Sequence, residues 1–177
     1  MIFNETKLKG AFVIEIEKRE DERGFFARTF CSNEMKEHGF NVNIRQANVS
    51  FNRLKGTLRG MHYQKAPHQE AKLVRCSRGS IFDVIIDLRK DSPTFKQWFG
   101  IVLTQDNYKM LYVPEDFAHG FITLENNCEV SYLMSEYYVQ GAGATIRWND
   151  PLFNINWPLV PIVMSEKDKN QPDSKIF

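Results

Sequence analysis

At 177 residues the chain can bury one substantial core but is thin for two domains of ordinary size, so a single domain over residues 1–177 is expected. Its 23 Lys and Arg nearly balance 22 Asp and Glu, and a formal charge of +1 argues against the broad basic surface that nucleic-acid binding needs. With 42% hydrophobic and 25% charged residues the composition is globular, which excludes disordered and fibrous classes, while the 13% of aromatics can either fill a core or line a cavity.

The first ten residues, MIFNETKLKG, lack the apolar run of a secretory leader, and nowhere do about 18 apolar residues follow one another. A cytoplasmic protein without a membrane partner is expected. From residue 11 onward, short apolar or alternating runs are separated by turn residues. Strands are predicted at 11–17 and 24–30, then a helix at 32–38 that Ser32 or Asn33 can cap and Gly39 can end. Further strands follow at 45–51, 58–64, 71–76, 81–88, 98–103, 109–113, 119–124 and 129–135, with turn signals such as Lys55-Gly56 and Arg78-Gly79 between them. Ser165 can cap a last short turn carrying Glu166, Lys167 and Asp168, and the tail KNQPDSKIF is expected to be loosely held. So many strands with almost no helix between them leave little room for a parallel βαβ sheet. The reading is all-β: a double-sheet jelly roll whose barrel mouth offers a small-molecule site. Cys31, Cys76 and Cys128 are odd in number and form no CxxC pair, so they fit buried small hydrophobes in a reducing compartment better than disulfides or a structural zinc site.

Polar residues inside strand-like runs carry the functional information, because burying them costs free energy unless they are paired or used. Five segments hold them: DERGFF at 21–26, QANVS at 46–50, LRGMHYQ at 58–64, EAKLVR at 70–75 and VPEDFAHGF at 113–121. Simple alternation along LRGMHYQ puts Arg59, Met61 and Tyr63 on one face and Leu58, Gly60, His62 and Gln64 on the other. Arg59 and His62 can share a cavity only if the strand bends or bulges near Gly60, which a glycine permits. Taken alone, His62 is more often a structural histidine than an acid–base group, and Arg59 reads equally as a surface ion-pair residue. Lys72 is either an outward-facing strand residue or a buried ammonium able to stabilise an oxyanion. His119 stays open between metal ligand, substrate contact and satisfied core residue.

Taken together and in order, DERGFF, QANVS, LRGMHYQ, EAKLVRCSRGSIFDVIIDLR, DSPTF, LYVPEDFAHGF, SYLMSEYY, IRWNDPLFNINWP and MSEKD resemble the dTDP-4-dehydrorhamnose 3,5-epimerase family of nucleotide-sugar epimerases over most of the chain. The resemblance implies a cupin-like jelly roll (a double-stranded β-helix) with short peripheral helices. It also implies a homodimer with residues 1–10 near the interface. The activity implied is that of an isomerase acting on a nucleotide-diphosphate 4-keto-6-deoxy or related 4-keto sugar, in surface-polysaccharide or dTDP-L-rhamnose-type synthesis. By the same resemblance His62 is the general base, Asp168 in SEKD its orienting carboxylate, Tyr132 in SYLMS the proton donor on the opposite face of the sugar, and Lys72 the stabiliser of the enolate oxygen. Arg23 and Arg59 would hold the diphosphate, Phe26 would belong to the sugar pocket, Gln46 and Asn48 would contact nucleotide or sugar, His119 would stand beside the sugar, and Tyr138 would stack on the base.

The chemistry calls for these residue types. A 4-keto group acidifies the protons at C3 and C5, so a base, an enolate stabiliser and an acid across the ring suffice, and no metal or other cofactor is expected. His62, His68, Glu70 and His119 include metal-ligand types, but the HxH pair usual in a metal-binding cupin is absent, since Tyr63 and Gln64 follow His62. The chain departs from the family pattern at Arg28, where a glutamate is usual, in VQGAGAT, where Gly143 occupies an acidic substrate-contacting position, and at His68-Gln69. The reaction type is therefore better supported than the sugar. Two competing readings are a sugar-nucleotide 3,4-ketoisomerase or C3-only epimerase, and a non-catalytic sugar-nucleotide binding module. The module would have no need of an acid and a base on opposite faces.

Overall fold

In the computed structural model, which describes residues 1–174, the alternating runs become thirteen strands and two short helices. In chain order these are β1 (Ile2–Glu5), β2 (Phe12–Glu15), β3 (Arg19–Asp21), β4 (Gly24–Phe26), α1 (Ser32–Glu37), β5 (Gln46–Asn52), β6 (Leu58–Gln64) and β7 (Lys72–Arg78). There follow β8 (Ser80–Asp87), β9 (Trp98–Thr104), β10 (Met110–Val113), β11 (Phe117–Thr123), β12 (Cys128–Met134), β13 (Gly143–Thr145) and α2 (Glu166–Lys169). One sheet runs β1-β2-β10-β7-β12-β5, the other β13-β6-β11-β8-β9, and β3-β4 form a separate hairpin. Every pair is antiparallel.

Alternation sorts each strand between two environments. On β7, Val74 and Cys76 point between the sheets and pack with Ile81, Ile85, Leu103, Leu111 and Val130, while Leu73 points outward. The outer face of the six-stranded sheet is covered by Met35 of α1 together with Phe40, whose ring stacks on Tyr112 at 3.9 Å. The outer face of the five-stranded sheet is covered by Phe153 and Ile146, with Trp98 and Trp157 packed against them. Each fully buried Ile or Leu contributes about 1.5–3 kcal/mol. Among the described residues the cysteines are free, and burial pushes the Cys76 thiol up to about 12, which makes it a packing residue.

Several boundaries differ from the sequence reading. The run at 24–30 is a strand only to Phe26 and pairs with Arg19–Asp21 as a solvent-exposed hairpin, so its alternation reflects no core face. The α1 cap falls on Cys31, whose side chain makes no cap bond, so Ser32 and Asn33 lie inside the helix; Gly39, at φ +75°, follows it as expected. β1 and β13 are short sheet-edge strands with too little pattern to be read in advance. The DSPTF motif has a structural explanation. Buried Asp87 accepts from Arg89 at 2.9 and 2.7 Å, from Ser92 at 2.6 Å and from Thr94 at 2.7 Å, closing the loop after β8. The tail is tied down by Arg147–Asp173 at 2.7 Å and by the Ser174 N–H on Asp150 at 2.6 Å; residues 175–177 lie outside the described residues.

Candidate active site

A cavity of about 790 Å³ opens between the two sheets. The six-stranded sheet lines it with Gln46 and Asn48 of β5, Lys72 of β7, and Tyr132 and Met134 of β12. The five-stranded sheet contributes Arg59, His62 and Gln64 of β6 and His119 and Phe121 of β11. The segment at 163–168 closes one side with Lys167 and Asp168.

Arg59 and His62 reach the same cavity through an irregular register. Against β11, His62 pairs with His119 and Arg59 pairs with Phe121, so three residue steps on β6 match two on β11. That extra residue is what simple alternation lacked. It leaves Met61 fully buried on the outer face while its neighbour His62 points inward. The site needs glycine: Gly60 has φ +139°, and a Cβ there would lie 2.5 Å from Gly120 Cα.

His62, Asp168, His119, Lys72 and Arg59 are each held by a partner. His62 Nε2 lies 2.6 Å from Asp168 Oδ1, bringing together residues 106 positions apart. Ser165 caps α2 by accepting the Asp168 N–H at 3.1 Å, which orients the carboxylate. Burial works to raise the Asp168 carboxyl, but bonds from His62, Ser165 and the Gly60 backbone outweigh it, and it lies below the ordinary aspartate value. An ionised Asp168 only accepts, so Nε2 carries the proton of the neutral ring and Nδ1 holds the lone pair; Nδ1 has no protein partner among the described residues. On β11, His119 Nε2 pairs with fully buried Asp83 at 2.7 Å. Lys72, only 7% exposed, pairs with Glu70 at 3.1 Å and reaches across to the His62 carbonyl at 3.4 Å. Arg59 donates to Asn52 at 2.7 Å. Among the described residues, Arg59 and Lys167 are the lining cations without a carboxylate partner.

The structure thus brings His62, Asp168, Lys72, Tyr132, Gln46, Asn48, Arg59, His119 and Tyr138 to one cavity. It does not bring Arg23 or Phe26 there: Arg23 is 84% exposed and paired with Asp21, and Phe26 is 70% exposed on the same hairpin. Arg28 pairs with Glu34 at 2.6 Å, and Glu34 also binds the Met1 ammonium at 2.7 Å, away from the cavity. Gly143 lines the cavity, and a Cβ there would meet nothing within 4 Å. His68 does not line it. Sequence reasoning missed Asp83, Lys167 and the pairing role of Glu70. Asp83 had a signal, an acid inside the apolar run IFDVII.

The family model described as dTDP-4-dehydrorhamnose 3,5-epimerase matches residues 5–175. The chain belongs to that family. It is therefore an isomerase of the carbohydrate epimerase type. A dTDP-4-dehydrorhamnose 3,5-epimerase of Methanothermobacter thermautotrophicus is 43% identical over 171 residues, 95% of this chain and 91% of that relative. The crystal structure of the Bacillus anthracis dTDP-4-dehydrorhamnose 3,5-epimerase with TDP and PPi bound matches with a TM-score of 0.93 at 40% identity, covering 98% of this chain and 99% of that one. ChmJ, a 3′-monoepimerase from Streptomyces bikiniensis in complex with dTDP-quinovose, matches with a TM-score of 0.87 at 28% identity, covering 96% and 86%. The all-β cupin-like jelly roll expected from the sequence is the fold these family structures share.

Proposed function

We propose that the chain epimerises a nucleotide-diphosphate 4-keto-6-deoxy sugar at C3, C5 or both, by metal-independent proton removal and return through an enolate, in a cytoplasmic pathway to rhamnose-type or surface-polysaccharide sugars. One observation carries the reading: His62 with its carboxylate and Tyr132 enter the same cavity from opposing sheets. Inversion needs a base below the ring and an acid above it, and two facing sheets supply both. His62 Nδ1 takes the proton that the 4-keto group has acidified. The Lys72 ammonium stabilises the enolate oxygen, Tyr132 returns a proton to the other face, and His119, fixed by Asp83, stands beside the sugar. Each proton-transfer group contributes about 10²–10⁴-fold and the oxyanion donor about 10²–10³-fold. Arg59 and Lys167 take the diphosphate, Asn48 and the Gln46 amide contact sugar or nucleotide, and Tyr138 stacks on the base. Arg23 and Phe26 act in a homodimer: exposed on the β3-β4 hairpin and outside their own cavity, they are available to the cavity of a second copy.

Deuterium uptake from heavy water tests the reading. With a dTDP-linked 4-keto-6-deoxy sugar, exchange at C3 or C5 is expected, and His62→Ala slows it by about 10²-fold or more. Absence of exchange across dTDP-, GDP-, CDP- and UDP-linked 4-keto sugars, or undiminished exchange in His62→Ala, sinks it. The likeness to a 3′-monoepimerase favours a second reading, inversion at C3 alone, which NMR of the product separates by the position of the label.

A further inference from the structure

Between β12 and β13 the chain crosses from the six-stranded to the five-stranded sheet beside the cavity, and Tyr138 stands on that crossing. Its backbone is held from both sheets. From β5, Gln46 Oε1 accepts the Tyr138 N–H at 2.6 Å. From β6, Gln64 Oε1 accepts the Val139 N–H at 2.8 Å, and Gln64 Nε2 donates to the Tyr137 carbonyl at 3.1 Å and to the His68 carbonyl at 3.0 Å. Gln64 is 5% exposed, so one buried amide satisfies two main-chain groups of an irregular segment that has no strand partner there and a third in the loop after β6. The Tyr138 side chain is the opposite case. The residue is 67% exposed, and its ring and hydroxyl make no hydrogen bond or ring contact among the described residues.

A fixed backbone under a free aromatic ring is a stacking platform, because the ordering cost is met before the ligand arrives. We propose that Gln64 is a positioning residue for the nucleotide: it holds residues 137–139 so that the Tyr138 ring is presented to the nucleobase at a set distance from the acid–base centre. This rests on the epimerase reading above. Gln64 lies two residues from His62 on the same face of the same strand, so the strand that positions the base catalyst also sets where the nucleotide ends.

The test uses Gln64→Met, which keeps the side-chain length and removes all three bonds, with dTDP as the binding probe in calorimetric titration. Expected is a rise of about tenfold or more in the dTDP Kd and in KM, with the loss concentrated in KM and not in kcat. Tyr138→Ala weakens dTDP binding comparably, and adding Gln64→Met to it changes the Kd by less than about twofold, since one acts through the other. Gln64→Asn, an amide one methylene short, shifts both constants in the same direction by less. Amide hydrogen exchange at Tyr138 and Val139 speeds up in both Gln64 variants, and this readout carries the test should Gln64→Met prove too unstable for kinetics. A Gln64→Met Kd within about twofold of wild type, additive effects in the double variant, or unchanged exchange at these amides overturns the inference alone. A wild-type protein that neither binds dTDP nor exchanges deuterium on any 4-keto nucleotide sugar overturns the epimerase reading and the inference with it.

Discussion

In the proposed reaction the chemistry of His62 turns on Asp168, since its carboxylate faces Nε2 and leaves Nδ1 to the cavity. Its native carboxyl lies below the ordinary value of 3.8, so the folded protein binds that proton less readily than the unfolded chain does. The stabilisation is therefore complete above about pH 3.8 and is lost as pH falls through that value toward the lower native one. Asp168→Asn is expected to lower kcat by about 10²–10⁴-fold and to be less stable than wild type in urea at pH 7, with the stability gap narrowing as pH drops below about 3.8. An equal gap at pH 7 and pH 3 contradicts the assignment of the charged carboxylate as the stabilising form. Polar residues embedded in apolar strands point at this scale to Lys72 and His62, both of which line the cavity, and the same rule applied to IFDVII finds Asp83. What no local rule supplied was the pairing of His119 with Asp83, because it depends on which strands adjoin, whereas Glu70 and Lys72 are two positions apart and alternation alone allows their contact.

β6 shows how an element turns a legible pattern into a site. Alternation separated Arg59 from His62, and the extra residue near Gly60 reunites them against β11. Gly60→Ala would push a Cβ to 2.5 Å from Gly120 Cα and 3.1 Å from the His119 carbonyl, at a φ that side chains rarely adopt. A loss of about 2 kcal/mol or more is expected from urea unfolding. Activity should fall further than the unfolded fraction explains, because Arg59 and His62 shift relative to each other. Wild-type stability in Gly60→Ala would show that the close approach relaxes freely. The short helices obey a similar division. α2 was readable from its Ser165 cap because the signal is local. Its task, carrying Asp168 to His62, is encoded by no local pattern, because the partners are 106 residues apart, and only the family resemblance implied it.

At the scale of the molecule, a formal charge of +1 conceals a cavity where Arg59 and Lys167 stand without acidic partners while His62, Lys72 and His119 beside them are paired with carboxylates. The aromatic excess also resolves: Phe40 and Tyr112 cover one sheet and Trp98 and Trp157 the other, leaving Phe121, Tyr132 and Tyr138 to the cavity. The β3-β4 hairpin holds Arg23 and Phe26 in solvent, and light scattering of the purified chain is expected to give twice the monomer mass, with Arg23→Ala raising KM in the dimer. A monomer with full activity would contradict their role across an interface. Sequence by itself determined most of the strands, the all-β class, the family and the types of group the reaction needs, because alternation, turn chemistry and motif order are written along the chain itself. Only the tertiary structure decided that β6 carries an extra residue, that His62 meets Asp168 through Nε2, that Lys167 joins the cavity and that Arg23 and Phe26 do not. Those outcomes depend on strand register and on contacts between distant segments, which no local period encodes.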